Sequence, residues 1–152
     1  MLHSAKGLNL SDIHAIAGFV MGGANLLAFA WGGVAWLRRN PSTVFWYLLR
    51  AAQATVIVEV MLGLVLLAQG KRPPDDLHYL YGIAPLVVSL VTEGMRVGAA
   101  QRELEDIDDV GALDRREQVL IARRVVRREM GLMTIGALLI VTLSLRALSS
   151  GV

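Results

Sequence analysis

The chain of 152 residues has the length of one domain, and 55% of its residues are hydrophobic against 18% charged. A mean hydropathy of +0.53 is high for a soluble domain, so the composition predicts an integral membrane protein whose first partner is the lipid bilayer. The net charge of +2 gives no reason to expect nucleic acid as a partner. The absence of cysteine excludes disulfides, thiolate metal sites and covalent haem attachment.

Four apolar stretches are long enough to cross a bilayer core of about 30 Å. They cover residues 12–37, 43–69, 77–99 and 130–146. Arg38 through Ser42 form a stop and a turn after the first stretch, and residues 70–76 break the chain after the second. The sequence therefore predicts an all-α fold, a four-helix transmembrane bundle that forms a single domain over residues 1–152.

A polar segment over residues 101–129 precedes the last span, acidic in its first half and rich in arginine in its second. Val119 and Val126 belong to an apolar stripe, which favours one long helix from about Asp114 into the last span. Arginines also follow the first span. The positive-inside rule then predicts a multi-pass protein of the cell membrane, with residues 101–129 cytoplasmic and both termini outside. The arginine half is expected to rest on anionic lipid or to contact a partner subunit.

One short motif occurs twice. Residues 12–18 read Asp-Ile-His-Ala-Ile-Ala-Gly and residues 76–82 read Asp-Leu-His-Tyr-Leu-Tyr-Gly, and each copy opens an apolar run. The pattern predicts an aspartate at each helix N-cap, a histidine in the first turn and a glycine one turn later on the same face. It also favours two parallel helix hairpins. His14 and His78 should then lie at equal depth on the outer side, whereas His3 lies in the polar tail and should be solvated.

Two histidines on facing membrane helices are the ligands that haem iron requires. Two opposed imidazoles make a six-coordinate site suited to electron transfer, and helix bundles build such sites from side chains of facing helices. Gly18 and Gly82, one turn beyond the histidines, would let a flat macrocycle approach the backbone. We therefore predict that His14 and His78 bind one haem b near the outer face. Lys71 and Arg72, in the loop between the second and third spans, are candidate partners for the propionates of that haem.

Other interpretations of the two histidines stay open. The histidines could instead hold a metal ion together with Asp12, Asp75 or Asp76, since imidazole suits copper, zinc and iron. The repeated motif is also typical of simple anchoring at the membrane interface, where such residues are common.

Four polar residues fall inside the predicted spans. Arg50 and Glu93 lie at similar depth near the cytoplasmic side, which favours a structural ion pair between the second and third spans. Asn25 and Glu59 come to similar depth near the midplane. Glu59 is either a proton carrier or a hydrogen-bonding residue that joins helices. Glycines that would allow close helix packing are Gly22, Gly23, Gly32, Gly33 and Gly63.

Residues 76–82, followed by Glu93, Gly94, Met95 and Arg96 and by the arginine-rich helix before the last span, resemble small four-helix membrane proteins of actinobacterial-type genomes. This resemblance covers most of the chain and implies the architecture without implying an activity. The helix-borne histidines are also similar to those of small b-type cytochromes. Those proteins usually carry histidines on both sides of the membrane or deeper in the bundle, and this chain has only two candidates.

Three functions follow as hypotheses. The first is electron transfer through a haem held by His14 and His78, alone or in a redox complex. The second is a membrane subunit or assembly factor, with the polar residues used for packing and a homo-oligomer as one form. The third is a proton-coupled carrier that uses Glu59. Under the first two hypotheses the protein is not an enzyme by itself.

Overall fold

The computed structural model describes residues 8–73, 75–105, 107 and 109–150, with side chains as far as Ala147. It contains four long helices, α1 (Leu10–Leu37), α2 (Thr43–Ala68), α3 (Leu77–Leu104) and α4 (Arg115–Ser150), and a short 3-10 turn at Val110–Ala112 before α4. All four helices are long and apolar enough to span a membrane, and the described residues form no strand. The predicted all-α, four-helix fold is confirmed. His3 lies outside the described residues.

The starts of α1 and α3 differ from those that the repeated motif predicts. The N-cap of α1 is Asn9, whose side chain accepts from the Asp12 N–H at 3.0 Å, while the Asp12 carboxylate accepts from the Asn9 N–H at 3.0 Å. Asp12 is therefore the third helical residue, and His14 lies in the second turn. Asp76 stands at the N-cap position of α3 but caps nothing, because Asp75 accepts the Leu77 N–H instead. The prediction of two capping aspartates was wrong, since an upstream asparagine and a neighbouring aspartate take those roles.

The helices form a ring in which α1 packs between α2 and α4, and α3 packs on α4. The interface between α2 and α3 is the sparsest of the four, and α1 and α3 face each other across the diagonal. We call the end that holds the starts of α1 and α3 the histidine end. The opposite end, with the α1–α2 turn and the start of α4, is the arginine end. Large apolar side chains such as Phe19 and Leu90 lie on the outer surface, as expected in lipid.

The interior is built in apolar layers, with the smallest residues where helices approach most closely. A Cβ on Gly32 would fall inside the contact distance of Phe45 and Thr134, and one on Gly136 would lie 2.7 Å from Thr92 Cγ2. Of the glycines expected to permit close packing, Gly32 makes the tightest contact, whereas Gly23 faces open space. The buried apolar clusters comprise Met21, Val56 and Ile140, then Ala28, Ala52 and Ala137, then Ala35, Phe45, Leu49, Met130 and Met133.

The last helix is one uninterrupted rod. With 36 residues it is about 54 Å long, at a rise of about 1.5 Å per residue, whereas the hydrocarbon core is about 30 Å thick. Its polar half packs on the last turns of α3. There Glu103 forms ion pairs with two arginines of α4, with Oε1 at 2.7 Å from Arg128 Nε and Oε2 at 3.6 Å from Arg124 Nε. Asp114 accepts the Glu117 N–H and begins the helix, as the sequence pattern predicts.

Candidate functional site

The histidine end brings together His14 and Glu59, which the sequence pattern assigned to separate hypotheses. His14 Nδ1 on α1 lies 3.2 Å from Glu59 Oε1 on α2, and their side chains are only 20% and 13% exposed. The contact does not meet the geometry of a good hydrogen bond, so Nδ1 of His14 is buried without a hydrogen-bond partner among the described residues. Oε2, the other oxygen of Glu59, is also buried without one. Buried polar atoms of this kind are rare, because each costs a desolvation penalty that no bond offsets.

Glycines on each helix make room for this contact. A Cβ on Gly63 of α2 would lie 3.5 Å from His14 Cε1, and a Cβ on Gly18 of α1 would lie 3.1 Å from Glu59 Oε1. The Glu59 side chain thus lies over Gly18, one turn after His14, and the His14 side chain lies over Gly63, one turn after Glu59. Gly18 therefore accommodates the carboxylate of Glu59, in the place where the sequence pattern predicted a flat cofactor. Gly82 faces open space, since a Cβ added there would meet nothing within 4 Å.

His78 approaches His14 across the diagonal of the bundle. The centres of the two imidazole rings are 6.0 Å apart and the ring planes make an angle of 67°. Two imidazoles that share one metal have ring centres about 6 Å apart, because each metal–nitrogen bond is about 2 Å and each nitrogen lies about 1 Å from its ring centre. A separation of 6.0 Å at 67° is that of an edge-to-face ring contact, and the same separation would allow both rings to bind one metal atom once a nitrogen of each points toward it. The His78 side chain makes no hydrogen bond to another described residue.

The charged residues near this end have local roles. Lys71 Nζ donates to Ser11 Oγ at 3.0 Å and ties the α2–α3 loop to the start of α1, while Arg72 is exposed. Asp12 and Asp75 accept backbone N–H groups at the helix starts. Among the residues that the structure describes, no group of three or more His, Asp or Glu side chains is arranged to hold a metal ion. The aspartate-based metal set therefore receives no support.

A second polar cluster lies nearer the arginine end and is fully paired. Arg50 Nη1 contacts Glu93 Oε1 across α2 and α3, so the ion pair expected from their equal depth is present. Sequence reasoning missed the rest of the network. Gln53 Nε2 donates to Glu93 Oε1 at 2.9 Å, and Arg96 donates to Glu93 Oε2 at 2.8 Å and to Glu129 at 3.2 Å. The signal was the spacing, since Gln53 and Arg96 each follow a charged partner by three residues.

An apolar layer separates the two polar clusters. Met21, Val56 and Ile140 pack together between them, and Val56 is fully buried. Asn25, also buried, donates to the Met21 carbonyl of its own helix at 2.9 Å rather than to Glu59. The described residues therefore offer no continuous polar route from Glu59 to Glu93.

Together the fold and this cluster define a class: a small helical membrane protein with four spans and a His–Glu–His group at one end. No family model, curated protein or solved structure matches the chain. The resemblance to the four-helix proteins of actinobacterial-type genomes therefore stays a prediction, and the chemistry of the site must be argued from its own residues.

Proposed function

We propose that the protein holds one b-type haem between His14 and His78 and serves membrane electron transfer, alone or as a subunit of a redox complex. The single observation that carries this proposal is the 6.0 Å spacing of two imidazoles from diagonal helices. Helix bundles commonly build cofactor sites from such inward-facing side chains. Bound between two imidazoles, haem iron would exchange one electron without an open position for oxygen.

Glu59 supports the ligand role of His14. Metal-binding histidines usually direct the second ring nitrogen at a carboxylate, which fixes the tautomer and the ring orientation. With Oε1 at 3.2 Å from Nδ1, a small rotation of either side chain would form that hydrogen bond and leave Nε2 of His14 as the ligand atom. Glu59 is thus a positioning residue that acts through Oε1, while its other oxygen, Oε2, keeps no partner among the described residues.

Two features would let a macrocycle approach the histidine pair from the side of α2 and α3. Gly82 faces open space, and α2 and α3 touch least of all the neighbouring helices. Lys71 and Arg72 lie in the loop between those two helices, and neither forms an ion pair within the described residues. Both can therefore donate to propionates from this loop. In the orientation that the positive-inside rule predicts, this end lies outside the cell.

The contact between His14 and Glu59 also favours a second candidate, a proton-coupled carrier. A buried acid beside a buried imidazole is a typical proton-handling pair in membranes. The layer of Met21, Val56 and Ile140 must then open in each cycle, because it closes the path toward Glu93. The remaining alternative is a membrane subunit or assembly factor in which this cluster serves packing alone.

An absorption spectrum tests the proposal. Protein purified from haem-replete cells should show a Soret band that shifts on reduction, and His14→Ala or His78→Ala should each abolish it. His3→Ala is the matched control, because it removes the remaining histidine of the chain and should leave the band unchanged. Wild-type protein that stays colourless after haem reconstitution would refute the haem proposal.

The carrier is tested separately in liposomes. Wild-type protein should take up protons under an imposed gradient and Glu59→Gln should not, with Glu103→Gln as a control acid outside the cluster. Equal uptake by wild type and Glu59→Gln, together with colourless protein, would leave only the subunit or assembly role.

A further inference from the structure

At the arginine end, a groove follows the last turns of α1 into the α1–α2 turn, and we propose that it binds the headgroup of an anionic phospholipid. It is lined by Trp31, Val34, Ala35, Arg38, Asn40 and Ser42. Its α1 side is mainly apolar, and its turn side offers a guanidinium, an amide and a hydroxyl. A phospholipid presents the matching sequence of acyl chain and phosphate at the depth where a spanning helix ends.

The aromatic residue of this groove is held in place by a polar contact. Trp31 Nε1 donates to Ser42 Oγ at 2.9 Å, which links α1 to the N-cap residue of α2, and half of Trp31 is exposed. An indole with one polar and one apolar side is the usual residue at a membrane interface. The groove thus lies at the boundary between acyl chains and headgroups, where its occupant in a bilayer is a lipid.

Arg39, between the groove residues Arg38 and Asn40, carries its charge at a conformational cost. The Asn40 N–H donates to the Ala35 carbonyl at 3.0 Å, which closes a Schellman motif and places Arg39 in the left-handed region with φ of +55°. Glycine is the residue that this position normally carries, since a side chain is strained there.

The end of α2 provides an internal comparison. Lys71 N–H donates to the Leu66 carbonyl at 3.1 Å in the same motif, and there the left-handed residue is Gly70, with φ of +78°. The chain therefore uses glycine at one of the two equivalent helix ends and arginine at the other. The arginine supplies a positive charge that glycine would not.

No acid neutralises this charge nearby. The sequence contains no aspartate or glutamate between Asp12 and Glu59, and neither Arg38 nor Arg39 forms an ion pair within the described part of the chain. Arginine suits phosphate because its planar fork can donate two parallel hydrogen bonds. An uncompensated pair of arginines at headgroup depth therefore favours anionic over zwitterionic lipid.

Native mass spectrometry of protein from micelles with equal phosphatidylglycerol and phosphatidylcholine tests this inference. Wild-type protein should retain phosphatidylglycerol preferentially. The preference should fall about fivefold for each arginine lost in Arg38→Gln and Arg39→Gln, and it should persist in the double lysine variant. Arg102→Gln, in the last turn of α3 and outside the groove, is the control and should behave as wild type. These arginines also influence the orientation of the protein in the membrane. Lipid retention is measured on solubilised protein, so that influence does not affect the comparison.

A further variant separates charge from strain. Arg39→Gly should raise the unfolding temperature in lipid-free detergent, because it relieves the left-handed arginine, yet it should reduce the stabilisation gained from added phosphatidylglycerol. Equal retention of the two lipids by wild-type protein, or an unchanged preference in the double glutamine variant, would overturn the lipid site. Neither outcome bears on haem, whose proposed ligands lie at the other end.

Discussion

The two polar clusters inside this bundle differ in how completely they are paired. Glu93 accepts hydrogen bonds from Arg50, Gln53 and Arg96, so both of its carboxylate oxygens have partners. At the histidine end, Nδ1 of His14 and Oε2 of Glu59 are buried without hydrogen bonds to any described residue. A satisfied network fixes helix packing, whereas unsatisfied buried groups persist where another role requires them. Ser89 Oγ and Thr134 Oγ1 are also buried without a partner among the described residues, but His14 and Glu59 alone bring two unpartnered titratable groups into contact. That contact favours a chemical role for the second cluster, and the complete pairing of Glu93 favours a structural role for the first.

The largest effect is expected from breaking the paired cluster. Glu93→Gln leaves Arg50 without a carboxylate and Arg96 with Glu129 alone. We expect it to lower the free energy of unfolding in mixed micelles by about 2–3 kcal/mol, since both arginines are partly exposed. Glu103→Gln, the same change ten positions along α3, should cost less than about 1 kcal/mol because its arginine partners are mostly exposed. Similar losses for both variants would remove the structural role of the Glu93 network.

Close packing of α1 against α2 and α4 gives the next effect. Gly32→Ala places a methyl group against Phe45 and Thr134, and we expect a loss of about 2 kcal/mol from overpacking. The matched control is Gly23→Ala on the same helix, where the methyl group meets nothing within 4 Å and stability should change by less than about 0.5 kcal/mol. Denaturant unfolding of the two variants decides the point, and equal stabilities would show that α1 can move away from α2.

At the histidine end, replacing the acid Glu59 by an amide should lower stability less than Glu93→Gln does. It should instead change which nitrogen of the His14 imidazole carries the proton. Glu59→Gln should cost less than about 1 kcal/mol, because the one polar contact of Glu59, with His14 Nδ1 at 3.2 Å, is poorly aligned in the cofactor-free protein. The nitrogen chemical shifts of His14 in cofactor-free protein should report a proton on Nδ1 in wild type and loss of that preference in the variant. Glu93→Gln should leave the shifts unchanged. An identical tautomer in wild type and Glu59→Gln would contradict the positioning role.

The two motif glycines give a comparably small effect on stability. Gly18→Ala moves the new methyl group to 3.1 Å from Glu59 Oε1 and should cost about 1 kcal/mol. Gly82→Ala meets open space and should be neutral in the cofactor-free protein. If a macrocycle lies against Gly82, the same variant should weaken haem binding in a titration followed at the Soret band. Unchanged haem affinity would place the macrocycle elsewhere.

Much of the architecture follows from hydropathy alone, because a span must bury its backbone hydrogen bonds whatever its neighbours are. Depth along the helices also predicted the contact between Arg50 and Glu93. Depth did not predict the contact between Glu59 and His14. Counting from the helix ends placed Glu59 near the midplane and His14 near the outer face. Helix ends do not mark equal depths, because packing sets the stagger of α1 on α2. The available signal was the pair of spacings from His14 to Gly18 and from Glu59 to Gly63, which fit together only when the helices are antiparallel and adjacent.

The length of α4 has a mechanical consequence. Its tightest contacts lie near the middle, where Gly131 meets Trp36 and Gly136 meets Thr92, while its polar half extends well past the end of α1. The same stiff helix therefore joins the contacts with Glu103 at the arginine end to the contact of Ser144 with Gly22 toward the histidine end. A sideways force on the arginine half would act on both ends of the bundle through one rigid element.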